Sequence, residues 1–425
     1  MIKIGIAGIG VVGYSSLELL EKNKELIKER TGKNIAVTAV ANRSQKDISG
    51  LSGARFYDNA LEMLEAEEFD IVLELMGGSD GVALEFVQKA LEKSIHVVTA
   101  NKALLAHHGN SLFDLAAEKN VHLGFEAAVG GGIPCMKGLR EGLAGNEITA
   151  VYGLLNGTSN YILTQMTQTG AAFDQVLKQA QELGYAEADP SFDVGGIDAA
   201  HKLSLLASMA FGRKIDFASV RTDGIERITP VDIAYATELG YKIKLLALAR
   251  KTSYGIEQRV QTVMLPKNNP IALVDDVFNT VVLEGDFIGK VQFTGPGAGG
   301  PATASAVIAD IIDIAREAYI PPLSYKQQYL KLPEPLKLEE ATNRYYLRIQ
   351  CMDNAGSLAK ITKILGDSGL SIVSVLQHEV DKNHLVPVVF TLASAKRPLV
   401  LKAIKEIEAL EVVKAPVIHL RIEKF

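Results

Sequence analysis

The stretch GYAEADPSFDVGGIDAAHK, residues 184–202, carries four carboxylates (Glu187, Asp189, Asp193 and Asp198) ahead of a closing lysine, Lys202. The apolar run LSLLASMAFG follows at once, so these polar groups stand at the entrance to an apolar helix. Asp198 and Lys202 are four residues apart, a spacing that puts two side chains on one helical face. On a surface such a pair is commonplace and contributes roughly a few tenths of a kcal/mol. Turned toward a bound substrate, the same pair suits alcohol–aldehyde chemistry. Hydride addition to a carbonyl carbon leaves negative charge on oxygen, which needs a proton donor, and the reverse reaction needs a base. A lysine desolvated enough to lower its pKa serves both directions. Asp198 and Glu187 offer acceptors for a substrate ammonium or hydroxyl. Asp193 reads as the N-cap of the helix, Leu203, Leu206 and Met209 (or Ala210) as its packing stripe, and Asp189 has no assigned part. Spacing alone leaves the surface pair and the site both open.

A second constellation lies at the N-terminus. Gly8-Ile9-Gly10-Val11-Val12-Gly13 follows the strand-like IKIGIA and opens a helix. In a dinucleotide fingerprint the first glycine permits a tight turn, the second admits a pyrophosphate, and the third lets helix and strand pack closely. The helix N-terminus adds partial positive charge. The alternative is a glycine-rich turn of any βα junction. Asn42-Arg43-Ser44 ends the second strand, where an NAD-preferring site carries a carboxylate. Arg43, with Ser44 and Lys46, suits a 2′-phosphate instead, so NADP(H) is expected to be preferred and NAD(H) possible; a solvated loop arginine is the alternative. Met76-Gly77-Gly78-Ser79 and Thr99-Ala100-Asn101-Lys102 follow the third and fourth strands, at the ends where doubly wound sheets bind ligands. Gly77 allows close approach and Lys102 places an ammonium by the nicotinamide, although a lysine after a strand is often merely solvated.

These groups need a scaffold. Over residues 1–130 the runs IKIGIA, IAVTAVA, DIVLELM, IHVVTA and VHLGFE alternate with amphipathic helical segments, which predicts βα units on a parallel, Rossmann-type sheet. Residues 131–302 read as a separate α/β catalytic and dimerisation domain with an open mixed sheet, from ITAVYGLL, YKIKLLALARK, IEQRVQTVML, NTVVLEG and GKVQFTG. The helix TASAVIADIIDIAREA, within 303–320, is entered through GPGAGGP and is placed back on the first domain. Proline- and lysine-rich residues around 321–344 read as a linker. Residues 345–425 fit a small βαββαβ unit. At 425 residues, two or three domains are expected. The net charge of −6 gives no reason for a nucleic-acid or membrane partner. Two distant cysteines, Cys135 and Cys351, suit a reducing cytosol. Lacking a cleavage pattern or an apolar run of roughly 18 residues, the chain is expected to be cytoplasmic.

FEAAVGGGIP (125–134), GLLNGTSNYIL (153–163), LGYAEADPSFDVGGIDAAHK (183–202), VVTANKALLA and GPGAGGPATASAV together resemble homoserine dehydrogenase, in order, across residues 1–320. CMDNAGSLAKITKILGDSGLSI resembles an ACT domain. The resemblance implies NAD(P)-dependent interconversion of L-homoserine and L-aspartate 4-semialdehyde in threonine, methionine and isoleucine biosynthesis. It makes Lys202 the proton donor, Asp198 and Glu187 substrate ligands, and Lys102 a contact of cofactor and substrate. Gly184, Glu187 and Gly299 match positions bordering the cofactor. It also implies a monovalent cation, sodium, held by backbone carbonyls at Glu126, Val129, Gly131 and Ile133. Feedback by L-threonine on the ACT unit and a homodimer or homotetramer are expected. Asp353-Asn354-Ala355-Gly356, before a helix, is the expected effector loop, with a purely dimer-forming ACT unit as the alternative. A dehydrogenase for another small amino-acid aldehyde, or a catalytically silent nucleotide and amino-acid sensor, are the competing readings.

Overall fold

The computed structural model describes residues 1–44, 53–333, 342–378 and 385–425; Lys46, grouped with Arg43 above, lies outside them, as does the 334–341 part of the expected linker. Six parallel strands, β1 (Ile2–Ala7), β2 (Ile35–Ala41), β3 (Arg55–Tyr57), β4 (Ile71–Glu74), β5 (His96–Thr99) and β6 (Leu123–Gly124), form one sheet in the order β3-β2-β1-β4-β5-β6. The central strands β1, β4 and β5 are largely buried, near-continuous apolar runs, as a parallel sheet covered by helices requires. The short β3 carries too little pattern to be read from sequence. The helix Gly300–Ala315 does return to this unit: Val307, Ile308, Ile311 and Ile314 pack with Ile4, Ile6, Leu17 and Leu20 in one core. Gly300 is required there, because a Cβ would stand 2.5 Å from the Ser15 hydroxyl and 2.7 Å from Val11.

The second sheet has ten strands: β7 (Ile148–Leu154), β8 (Arg221–Asp223), β9 (Tyr241–Thr252), β10 (Gly255–Pro266), β11 (Phe278–Gly285), β12 (Gly289–Pro296), β13 (Thr342–Met352), β14 (Ile372–Gln377), β15 (Leu385–Lys396) and β16 (Ile418–Ile422). Their order is β12-β11-β7-β9-β10-β16-β13-β15-β14, with β8 also on β10. The last six elements, β13, helix Ser357–Asp367, β14, β15, helix Arg397–Glu408 and β16, are the βαββαβ unit expected from sequence. Two expected sheets are therefore one. The joint is β16, antiparallel to β13 and parallel to β10 through Val263↔Arg421 and Met264↔Ile422.

Buried charge lies across that joint. Glu257 on β10 accepts from Arg250 (2.7 Å), Arg259 (3.0 Å) and Arg421 of β16 (2.9 Å), while Arg259 also pairs with Glu423. Burial alone would raise the Glu257 carboxyl, but the surrounding guanidinium groups hold it well below the usual range. Nearby, Arg348 of β13 forks onto Asp232 of helix Pro230–Glu238 (2.6 and 3.0 Å), and terminal Phe425 stacks on Tyr152 at 4.1 Å. Residues 320–333 also lie on the body, with Lys331 and Gly212 joined by a main-chain bond of 3.0 Å. Among the described residues no helix is long and apolar enough to cross a membrane.

Candidate active site

The glycine fingerprint has the geometry its spacing predicts. Gly8 sits at φ 101°, and a Cβ there would lie 2.5 Å from the Leu75 carbonyl oxygen. A Cβ on Gly13 would lie 2.1 Å from the Gly8 carbonyl, whereas Gly10 faces open space. Helix Val11–Lys22 begins here, with Val11 exposed and Val12 half-buried. A cleft of about 690 Å³ opens beside Gly8 and Gly10, lined also by Asn42, Arg43, Met76, Gly77 and Asp80. In place of a carboxylate at the end of β2, the Asn42 side-chain oxygen accepts from the Ile9 amide at 3.2 Å and so props the glycine loop. Arg43 stays exposed on the rim. The loops after β4 and β5 are tied together. Glu74, fully buried, accepts from the Thr99 hydroxyl (2.7 Å) and the Met76 amide (2.9 Å). Asn101 caps the helix Lys102–Lys119 through the Leu104 amide (3.0 Å) and donates to the Gly78 carbonyl (2.6 Å). That cap starts the helix at Lys102, earlier than its apolar pattern suggests.

At the start of that helix, Lys102 meets the helix that carries Asp198 and Lys202. Its ammonium lies 3.2 Å from Asp198 Oδ1, and Lys202 Nζ lies 2.6 Å from Asp198 Oδ2. Both Asp198 and Lys202 are buried, so this is no surface pair; the helix Ile197–Phe211 is enclosed along nearly its whole length. Lys202 donates further to the Leu155 carbonyl at 2.7 Å. Asn156, the next residue, donates to Asp198 (2.9 Å) and to Asp193 (2.7 Å). Burial alone would raise the Asp198 carboxyl, but two ammonium groups and these hydrogen bonds hold it far below the usual carboxylate range. Burial and the Asp198 charge push Asp193 up. The arrangement is an ionised carboxylate fixing two cations, and a lysine held in this way can deliver a proton to an oxygen on which negative charge develops.

Family models described as "Homoserine dehydrogenase", "Homoserine dehydrogenase, NAD binding domain" and "ACT domain" match residues 134–312, 8–126 and 345–409. The homoserine dehydrogenase of Pseudomonas aeruginosa is 43% identical over 100% of this chain and 99% of its own. The chain belongs to the homoserine dehydrogenase family. Membership makes it an oxidoreductase with a nicotinamide dinucleotide-binding region. The solved homoserine dehydrogenase of Thiobacillus denitrificans matches with a TM-score of 0.93 at 43% identity, covering 99% of this chain and 98% of that one. A hyperthermophilic archaeal homoserine dehydrogenase in complex with NADPH matches with a TM-score of 0.65 at 28% identity, over 75% of this chain and 98% of its own.

Within this homoserine dehydrogenase fold, other residues singled out from sequence fall elsewhere. Glu187 is exposed on the loop before helix Ser191–Val194, and what is held there is its main-chain carbonyl, by Gln181 (3.0 Å). The adjacent turn, with Gly184 at φ 76°, is pinned to helix Gly157–Thr169 by the Thr158 hydroxyl on the Tyr185 carbonyl (2.6 Å). Asp193 is not the cap. Gly196, at φ 84°, starts the helix Ile197–Phe211, where a Cβ would press on Val260 of β10 at 3.1 Å, and the Asp193 side chain turns to Asn156 instead. Asp189 accepts from the Ser191 amide (3.1 Å). Gly299, at φ 105°, is exposed just before the helix packed on Val11.

The candidate cation loop is buried at Glu126, Val129, Gly131 and Ile133, with Gly130 and Gly131 at φ 75° and 57°. The carbonyls of Glu126 and Val129 receive only long contacts, from the Val129 amide (3.3 Å) and the Cys135 thiol (3.8 Å). The Glu126 carboxylate is engaged elsewhere, by the Met136 and Lys137 amides, and burial with the neighbouring Asp310 pushes it up to about 8. Sequence reasoning missed Asn156, Leu155 and Glu74, and it named Asn42 only as standing where a carboxylate is absent. Only Asn156 left a signal, as an N-cap residue ahead of GTSNYIL.

Proposed function

We propose that this chain interconverts L-homoserine and L-aspartate 4-semialdehyde, with aldehyde reduction as the direction that serves threonine, methionine and isoleucine biosynthesis. The observation that carries the reading is the Asp198 carboxylate between Lys202 and Lys102. Bound nicotinamide supplies the hydride. Lys202 is the proton donor: an ammonium has three hydrogens, and Asp198 and Leu155 take two of them, leaving one for the aldehyde oxygen. As negative charge develops on that oxygen, the proton moves to it from Lys202, and Lys102 stabilises the charge as a fixed cation. Asp198, with Glu187 brought in by its loop, receives the polar groups of the substrate.

Gly8, Gly10, Val11, Val12 and Gly13 hold the pyrophosphate, and Gly77, Lys102, Gly184, Glu187 and Gly299 border the rest of the cofactor. Exposed Arg43, with no carboxylate at the end of β2, supports a preference for NADP(H). The weakly engaged carbonyls of Glu126 and Val129 support a sodium ion there, since hard cations favour oxygen ligands; Gly131 and the Ile133 carbonyl, which also accepts from the Cys135 amide (2.7 Å), complete the proposed set. The ACT unit supports feedback by L-threonine. The strand β10, which carries β16 on one edge, also buttresses Gly196 at the head of the catalytic helix. Exposed Phe278, Phe287 and Ile288 on the β11–β12 hairpin support a homodimer or homotetramer. A cytoplasmic location goes with this metabolism.

The test follows nicotinamide absorbance with L-aspartate 4-semialdehyde, with NADPH and NADH, and with and without L-threonine. Turnover with NADPH that threonine lowers is the expected result. No turnover of this aldehyde with either cofactor would end the reading.

A further inference from the structure

The turn Leu155-Asn156-Gly157 at the end of β7 touches every charged member of the buried cluster except Lys102. The Leu155 carbonyl takes one hydrogen of Lys202 (2.7 Å), and the Asn156 amide nitrogen reaches both Asp198 (2.9 Å) and Asp193 (2.7 Å). An amide NH2 has two hydrogens, so this one group can serve two carboxylates that would otherwise repel. The turn itself is fixed. Asn156 Oδ1 accepts from the Ser159 amide (2.8 Å), the Ser159 hydroxyl donates to the Asp193 carbonyl (3.0 Å), and a Cβ on Gly157 would stand 2.6 Å from the Val277 carbonyl. We infer that Asn156 is a positioning residue for the reaction: it locks the Asp193–Asp198 spacing and so orients Asp198 toward both lysine ammonium groups. This rests on the reading of Lys202 as proton donor.

The geometry separates this role from helix capping. The oxygen of Asn156 caps the helix Gly157–Thr169, while its nitrogen spans the carboxylates. Asn156→Ser keeps a good capping oxygen but is too short to bridge both acids. Asn156→Asp keeps shape and cap, removes both donors, and adds a third negative charge. The groups facing Asp198 are Lys202 and His201 on its own helix, Lys102 at the start of helix Lys102–Lys119, and Asp193; losing the amide donor leaves each carboxylate easier to protonate.

The experiment measures kcat, both KM values and the pH profile of kcat/KM for wild type, Asn156→Ser, Asn156→Asp and Lys202→Ala, with NADPH fluorescence titration as the check of an intact fold. The expected result for both Asn156 variants is kcat down on the order of 10²-fold, KM for NADPH unchanged, and the acid limb of the profile moved to higher pH. Wild-type kcat and an unmoved acid limb in Asn156→Ser would overturn the inference and leave a cap only. If Lys202→Ala itself turns over normally, the proton-donor reading fails first. If Lys202→Ala is dead and Asn156→Ser keeps wild-type kcat, the positioning inference alone fails.

Discussion

Replacing Lys202 with methionine separates chemistry from scaffold. Methionine fills much of the space of the lysine stem, so the buried helix keeps its packing. Removing one partner of a buried ion pair ordinarily costs about 3–5 kcal/mol, because the other charge is orphaned. Here Asp198 retains Lys102 at 3.2 Å and Asn156 at 2.9 Å, so the stability loss falls below that range. The barrier should change more. A positioned general acid contributes about 10²–10⁴-fold, equivalent to roughly 3–6 kcal/mol at ~1.4 kcal/mol per decade. Steady-state kinetics of Lys202→Met with NADPH and L-aspartate 4-semialdehyde should therefore show kcat down by that factor and KM for NADPH near wild type, with thermal unfolding as the control. A folded variant whose kcat stays within about threefold of wild type, far short of the expected loss, would refute the assignment.

His201 offers a pH-dependent test: it is 3% exposed, both its ring nitrogens lack partners, and it packs on Phe217 at 4.4 Å. Burial, with the neighbouring His107, lowers its pKa to about 4. The neutral ring is therefore favoured on folding, and its contribution is full above the unfolded value near 6.5 and lost as pH falls from there to about 4. That loss amounts to up to about 3 kcal/mol, so calorimetric Tm of His201→Phe should hold up better than wild type over this window, and parallel Tm curves would exclude the idea. Arg43→Glu should reverse the ratio of kcat/KM for NADPH over NADH, by at least about tenfold in the loss of two charge-assisted bonds; an unchanged ratio would assign Arg43 to solvent. Glu423→Gln, which neutralises one of two carboxylates among three arginines, should raise the threonine concentration for half-inhibition while basal kcat survives, and an unshifted threonine titration would detach the joint from regulation.

Local pattern and non-local pairing explain what was legible. The glycine fingerprint is a local steric demand, and each of its three positions meets the contact or open space its spacing implies. The i,i+4 relation of Asp198 and Lys202 is equally local, yet nothing local says that both are buried, because burial comes from β7 and the Lys102 loop far along the chain. Asn156 stayed hidden for the same reason: its cap is local, but its carboxylate partners lie 37 and 42 residues ahead. Gly195-Gly196 misled the capping assignment. A capping Asp is common before an apolar helix, whereas the close approach of Gly196 to Val260 is visible only once β10 is in place.

The joined sheet bears on how regulation must be tested. Residues 345–425 read from sequence as a detachable module, and cutting them off is the obvious experiment. In the structure that cut removes β16 from β10, takes Arg421 and Glu423 away from Glu257 and Arg259, and strips Phe425 from Tyr152. Arg259, 1% exposed, would lose one of its two carboxylate partners in a site built to be dry. Breaking buried pairs this way costs several kcal/mol, a large part of a domain's total stability of about 5–15 kcal/mol. Activity lost on truncation would thus report a damaged catalytic sheet as readily as a lost effector site. The same geometry links the C-terminal unit to the candidate site, since β10 is shared: β16 pairs with it at Val263 and Met264, and its Val260 side chain lies beside the glycine that starts the Asp198–Lys202 helix. Any shift of β16 relative to β10 therefore has a steric route to the helix that carries Asp198 and Lys202, and a single substitution at the joint probes that route without dismantling it.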